Sequence, residues 1–408
     1  MKKFNKIMSA ALVASMVMVS MAGCGSSAET ATEAPAAGTT AATEAAAETT
    51  AADGATIKIG GIGPITGPAA DYGIAVQNGS QLAVDEINAN GGINGVQIEY
   101  NFQDDVHDAT TSVNAYNSLK DWGMQMLMGT VTSGPCQAVV EKTQEDNMFQ
   151  LTPSGSSVEC IKYDNAFRVC FSDPNQGIAS ADYIADNKLA EKVAIIYNSS
   201  DVYSSGITEK FTAEAGVKGL EIVSSEAFTA DSATDFSVQL QKAQAAGADL
   251  VFLPIYYTEA SIILTQANTM GYAPAFFGCD GLDGILGVEN FDTALAEGVM
   301  LLTPFAADAK DDATVAFVTA YEEAYGKTPS QFAADAYDAI YIIKAAAEKA
   351  GVTADMSVSD ICEAMKPAML EVSVDGLTGA GMTWSADGEP SKAPKAVKIT
   401  DGAYAAME

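Results

Sequence analysis

Short, uninterrupted apolar runs alternate with longer stretches of helical period along most of this chain, and that rhythm leaves few folds open. Val193 to Tyr197 and Leu250 to Ile255 are apolar almost throughout. A strand that is apolar on both faces has to be covered on both, which is the condition of parallel sheet with helices packed on each side. Ile57-Lys58-Ile59 opens the series as a strand. Val96, Ile98, Tyr100 and Phe102 alternate at period two, so the next strand keeps one polar face. Met124 to Met128 and Met148 to Leu151 read as two more strands. The intervening spacing predicts helices over Asp71 to Asn90, Thr110 to Asp121 and Pro135 to Asp146. In the first of these Leu82, Ala83 and Ile87 share a face, and Gly91-Gly92 supplies the stop.

Roughly 350 residues follow Ala55, too many for one ordinary core of about 100–200 residues, so two lobes are expected. The rhythm falls into two blocks, Thr56 to Asp173 and Pro174 to Leu302, with Asp173-Pro174-Asn175 as the crossing between them. Two further helical patterns, Ala313 to Tyr325 and Phe332 to Ala350, have to pack back onto the lobes. The expected fold is α/β, with two doubly wound parallel-sheet lobes, a hinge and a central cleft. Lobe one is assigned residues 56–173 plus about 304–380, and lobe two residues 174–303 plus about 381–408.

The start of the chain has a different character. Lys2, Lys3 and Lys6 precede an apolar run from Ile7 to Ala22 that is shorter than the ~20 residues a membrane span needs. This is the pattern of a secretory signal over residues 1–23. Met21-Ala22-Gly23-Cys24 resembles the bacterial lipobox, which makes Cys24 the expected lipidation site. Residues 24–55 are almost all Ala, Thr, Glu, Ser and Gly, too apolar-poor to repay ordering, and they read as a disordered tether.

Composition excludes some partners. The formal charge is −32 and Arg168 is the sole arginine, so phosphate neutralisation, and with it nucleic-acid binding, is not expected. Five cysteines besides Cys24 cannot all pair with one another. Their spacing suggests no metal or redox site, and a Cys160–Cys170 bridge and buried free thiols both remain open. His107, the single histidine, leaves one candidate base for Ser–His or Cys–His chemistry. It sits among acids in what reads as a solvated loop. There is no Gly-x-Ser-x-Gly elbow and no His pair for zinc. Asp104, Asp105 and Asp108 lack calcium-loop spacing. No enzyme activity, cofactor or metal is expected.

In open parallel sheets the ligand lies beyond the carboxyl ends of the strands, so the residues just after each strand carry the interest. Gly60 to Gly67 imitates a dinucleotide fingerprint, but Thr66 stands where the third glycine belongs and Pro64 removes a donor. It reads instead as a tight strand-to-helix turn. Gly129 to Pro135 and Thr152 to Ser157 are hydroxyl-rich loops that enter helices. Free amides at a helix start suit a carboxylate, while Ser and Thr there also serve as ordinary caps. Ile255 to Glu259 and Phe277 to Gly281 follow strands of the second block. Asp280 is placed either to meet an ammonium group or to cap a turn.

Taken together, Lys58 to Pro68, Asp71-Tyr72-Gly73, Ala83 to Asn88, Gly91 to Gly95, Tyr100 to Asp105, Gly129 to Ser133, Thr152 to Ser154, Phe167-Arg168, Asp173 to Gly177 and Phe276 to Gly281 resemble the leucine/isoleucine/valine-binding proteins in order. Those proteins serve ATP-binding-cassette importers. The resemblance implies the type I periplasmic-binding fold and a ligand held by its α-carboxylate and α-ammonium. By position Ser133, Ser154 and Ser156 correspond to residues at the charged ends. Tyr256 corresponds to a cleft tyrosine, Asp280 stands where the family often has Glu, and Tyr72, Tyr203 and Phe332 fall at side-chain pocket positions. Two cysteines that commonly pair in the family are missing, with His107 and Thr132 near their places. The implied protein is a monomeric lipoprotein outside the cytoplasm. It would capture a branched-chain or other apolar amino acid by hinge closure and deliver it to a permease. An amide, urea, polar amino acid or aromatic acid as ligand, or a ligand-sensing role, is the alternative.

Overall fold

In a computed structural model the described residues are 54–407. The proposed signal, Cys24 and nearly all of the tether fall outside them. The first sheet runs β2-β1-β3-β4-β5 and is parallel throughout. Its strands are β1 (Thr56–Gly63), β2 (Gln97–Asp104), β3 (Met126–Gly129), β4 (Gln150–Thr152) and β5 (Ala166–Arg168). The helices α1 (Ala70–Ala89), α2 (Ala109–Trp122) and α3 (Ser133–Glu145) connect them. Ile57 and Ile59 of β1 and Met126 and Met128 of β3 are fully buried, the condition read from their apolar runs.

The second block repeats the plan. After α4 (Asp173–Asp186) come β6 (Lys192–Asn198), α5 (Val202–Lys218), β7 (Glu221–Phe228), α6 (Ser237–Ala245), β8 (Leu250–Leu253), α7 (Tyr257–Thr269), β9 (Ala275–Gly278) and β10 (Met300–Thr303). They pair in parallel in the order β7-β6-β8-β9-β10, which is the strand order of the first sheet over again. In both sheets the order reverses beside the first strand, at β1/β3 and at β6/β8, and a crevice opens at such a point.

The chain then returns to the first lobe as α8 (Asp312–Tyr325), α9 (Gln331–Ala350) and α10 (Val358–Met369), with α9 packed along α1. The crossing of α1 and α9 is close: a Cβ on Gly79 would lie 2.1 Å from the carbonyl oxygen of Ala333. This contact sets the start of α9, and so Phe332, beside Tyr72. Residues 383–391 still lie on the first lobe, where Trp384 Nε1 donates to the Arg168 carbonyl at 2.8 Å. The last strands, β11 (Lys395–Thr400) and β12 (Ala403–Ala406), extend the second sheet antiparallel from β10. The chain therefore passes between the sheets three times, after β5, after β10 and before β11.

Several expectations change. Gly60, Gly61 and Gly63 lie inside β1, which pairs with β2 as far as Gly63↔Asp104, so the turn begins later than the glycines suggested. Helix α10 is not among the helical patterns read from the sequence; its Pro367 falls in the last turn, near the Met369 end. Cys136, Cys160, Cys170, Cys279 and Cys362 are all buried free thiols, so the Cys160–Cys170 bridge is not formed. Asp104, Asp105 and Asp108 are occupied by backbone amides of Ile65, His107 and Thr111. No helix among the described residues is long and apolar enough to cross a membrane.

Candidate functional site

The lobes meet across the cleft through direct hydrogen bonds. The Tyr72 hydroxyl on α1 donates to the Gly281 carbonyl at 2.5 Å and accepts the Tyr257 amide at 3.2 Å. Thr258 Oγ1 donates to the Pro68 carbonyl at 2.8 Å, and the Gln331 amide donates to Asp283 at 2.9 Å. This is a closed arrangement. It leaves a small cavity, of about 10 Å³, lined by Tyr72, Ser133, Ser154, Ser156, Tyr203, Tyr256, Asp280 and Phe332, together with Val131, Thr132 and Gly281. All of the cleft residues singled out from the sequence thus converge on one cavity.

All but Phe332, which starts α9 after the α8 turn, come from the loop after a strand or from the helix that loop enters. Ser133 follows β3 and is the first residue of α3, so it sits among amides that have no partner inside the helix. Ser154 and Ser156 follow β4. The Ser154 hydroxyl donates to the Val131 carbonyl at 2.7 Å, and the Ser133 and Ser156 hydroxyls lie 3.4 Å apart. Arg168, 0 % exposed, supports this loop from below through the carbonyls of Gly155 and Ser156. Its Nε lies 3.3 Å from Glu389. The sole arginine is therefore a buttress and does not line the cavity.

From the second lobe, Tyr203 follows β6, Tyr256 follows β8 and Asp280 follows β9. Tyr203 and Tyr256 stack with centroids 4.9 Å apart, and Tyr72 meets Tyr256 edge-on at 5.6 Å. The Tyr203 hydroxyl donates to Asp280 at 2.7 Å, and the Asp280 amide donates to Gln176 at 3.1 Å. A Cβ on Gly281 would lie 2.7 Å from the Tyr203 hydroxyl, so this close approach requires glycine. Burial pushes the Asp280 carboxyl up to about 7, and its bond from Tyr203 offsets part of that. Asp173, at the start of α4, is pushed well above the usual carboxylate range by burial, with Asp280 adding to the effect. No Lys, Arg or His lines the cavity. A bound anion would meet neutral donors only, and a bound cation would meet Asp280.

Sequence reasoning misplaced His107. Its Nδ1 lies 2.9 Å from Thr132 Oγ1, and its ring stands edge-on to Tyr256 at 5.5 Å. Burial lowers its pKa. The acids around it hid this in the sequence. They turn toward backbone amides, which leaves the imidazole free to enter the cleft wall. Val131 and Thr132 were missed as lining residues, although both lie in the loop already marked.

Residues 56–403 match the model of the Periplasmic binding protein family. The chain belongs to that family. Among its relatives, Leu/Ile/Val-binding protein homolog 3 of Brucella melitensis is 30% identical over 307 residues, which cover 74% of this chain and 81% of that protein. Leu/Ile/Val-binding protein BraC3 of Rhizobium johnstonii is 31% identical, covering 74% and 81%. Among solved structures, the branched-chain amino acid transporter substrate-binding protein LivJ of Streptococcus pneumoniae, in complex with isoleucine, is 30% identical. It superposes with a TM-score of 0.79 over 86% of this chain and 98% of its own. The resemblance drawn from Lys58 onward is borne out, and the two lobes are those of a type I periplasmic binding protein.

Proposed function

We propose that this periplasmic binding protein captures a branched-chain or similar apolar amino acid between its lobes and delivers it to an ATP-binding-cassette importer. The observation that carries the reading is the division of chemistry across the cleft. Neutral hydroxyls at Ser133, Ser154 and Ser156, with helix-start amides at Ser133, suit an α-carboxylate, and the buried Asp280 on the opposite lobe suits an α-ammonium. Tyr72, Tyr203, Tyr256 and Phe332 surround the remaining space with rings, which suits an apolar side chain. The names of the relatives, and the isoleucine bound in LivJ, support the same ligand class.

In this mechanism the first lobe receives the zwitterion. Closure then brings Tyr256 and Asp280 onto it, and expulsion of water strengthens each hydrogen bond. A ligand lacking either charged group leaves buried partners unpaired, at a cost of about 1–3 kcal/mol for each. Residues 56–173 with about 304–392 move as one body, and 174–303 with 395–407 as the other. The protein acts as a monomer, by binding and without chemical conversion of the ligand. Its N-terminal segment is a secretory signal, and Cys24 carries the lipid that anchors it outside the cytoplasm. Metabolic labelling with a fatty-acid probe tests the anchor, since Cys24→Ser removes the label if the reading is right. A thermal-shift series of leucine, isoleucine and valine against benzoate, urea and small amides tests the ligand. Stabilisation confined to the second group would overturn it.

A further inference from the structure

Helix α9 begins without a cap of its own. At α2, α4, α5, α8 and α10 the residue before the helix is Asp108, Ser172, Asp201, Asp311 or Ser357, and its side chain accepts a backbone amide of the first turn. Ser330 holds that place before α9 in extended backbone, and its side chain caps nothing. The amide of Gln331, the first residue of α9, donates instead to Asp283 Oδ2 at 2.9 Å. Asp283 belongs to the second lobe, so a carboxylate of one lobe caps a helix of the other.

Both ends of this contact are held in place. Helix α9 is packed along α1. Asp283 ends the short turn Asp280–Leu282, and its own amide donates to the Asp280 carbonyl at 2.9 Å. The Tyr404 hydroxyl on β12 accepts the Gly284 amide at 3.1 Å and bears on the same Asp283 carboxyl. Gln331 Nε2 adds a bond to the Asp280 carbonyl at 3.3 Å. Asp283 and Gln331 are both buried, so closure takes the pair out of water. Burial pushes the Asp283 carboxyl up to about 6, and the Gln331 amide, at the positive end of the helix dipole, offsets part of that cost. Neither residue lines the amino-acid cavity, yet each adjoins one that does. Gln331 precedes Phe332, and Asp283 is joined through one turn to Asp280.

We propose that Asp283 and the Gln331 amide form a closure latch, and that they are positioning residues for retention of the ligand. The cap exists only where the lobes meet, so opening has to break it. Once made, it sets Phe332 of the first lobe against Asp280 of the second. Its effect on retention rests on the amino-acid reading of the cleft; its effect on closure does not.

Stopped-flow kinetics with isoleucine on Gln331→Pro test the latch. Proline is favoured at the first position of a helix, and the extended backbone of Ser330 admits it, so the substitution removes the amide donor without breaking α9. Gln331→Ala is the control, because it loses the same side chain and keeps the amide. Isoleucine should leave Gln331→Pro about three- to thirtyfold faster than Gln331→Ala, the range of a partly buried charge at a helix end, with association rates alike. Asp283→Ala removes the acceptor and should show the same division of rates, which keeps the test decisive should Gln331→Pro fail to fold. Equal dissociation from Gln331→Pro and Gln331→Ala, or a loss confined to association, would overturn the latch. If isoleucine does not bind the parent protein, the cleft reading fails on its own, and small-angle scattering of the ligand-free chains decides the latch. Gln331→Pro should then have a larger radius of gyration than Gln331→Ala, and equal radii would overturn the proposal.

Discussion

The Tyr203 hydroxyl donates to a carboxylate oxygen of Asp280 at 2.7 Å and accepts the amide of Gly281 at 2.9 Å. Tyr203 follows β6 and Asp280 follows β9, so the acid's direction is fixed by a neighbouring loop as well as its own. Asp280→Ala is expected to weaken amino-acid binding at least about tenfold, the value of a buried charge-assisted bond. Tyr203→Phe leaves the acid in place but less well aimed, and a smaller loss of about three- to tenfold is expected. Calorimetry on both variants, with circular dichroism to confirm folding, checks the order of the two effects. An unchanged affinity in Asp280→Ala would remove this residue from the site.

The pH dependence of binding has a definite sign. Burial raises the Asp280 carboxyl to about 7, so below that pH it holds a proton that an incoming ammonium must displace. Affinity should fall as pH drops below about 7, by up to about tenfold per unit, with proton release on binding. Titrations in buffers of different ionisation enthalpy read the released proton directly. Asp280→Asn should abolish this slope.

Stability without ligand should run the other way. Burial raises Asp105, Glu259 and Asp280 to about 7, and Asp201, Asp283 and Asp338 to about 6. An unfolded carboxyl titrates near ~4, so between about pH 4 and 7 the native chain binds more protons than the unfolded one. Stability therefore falls as pH rises through that window. His107, whose folded pKa is lowered, opposes this with a single group. Melting temperatures of the ligand-free protein from about pH 5 to pH 8 should decline. A rise across that range would contradict the burial of these acids.

His107 reaches Tyr256 across the lobe boundary, and that contact belongs to the closed arrangement. Edge-to-face aromatic pairs are worth about 0.5–1.5 kcal/mol. His107→Ala should weaken binding about three- to tenfold, mainly by faster release, because the contact forms on closure. Stopped-flow or surface-plasmon measurements separate the two rates. A loss confined to the association rate would place His107 outside the closing surface.

Arg168 should matter for stability before it matters for recognition. It carries the carbonyls of Gly155 and Ser156 while fully buried. Arg168→Met strands those acceptors and should cost about 2–4 kcal/mol in chemical denaturation. It also loosens the loop that presents Ser154 and Ser156, so affinity should fall with it.

The repeated strand order was legible because strands apolar on both faces, such as Val193 to Tyr197, admit only covered parallel sheet. The cleft was legible for the same reason, since that topology places the residues after β3, β4, β8 and β9 at one crevice. What failed to show depended on contacts distant in sequence. The edge strand β7 buries little apart from Phe228 and lacks an apolar run. Strands β11 and β12 pair antiparallel onto a sheet whose other members lie about a hundred residues or more earlier. The role of His107 depends on Thr132 and Tyr256, and nothing in its local sequence points to either.

Closure of these lobes is driven by a zwitterion with a branched apolar side chain. Calorimetric titration with isoleucine tests it most directly, run beside 3-methylpentanoate, which lacks the ammonium, and 2-methylbutylamine, which lacks the carboxylate. One isoleucine should bind per chain, and both truncated ligands should bind more weakly by at least about tenfold. Equal binding of either truncated ligand, or no binding of isoleucine, would contradict it.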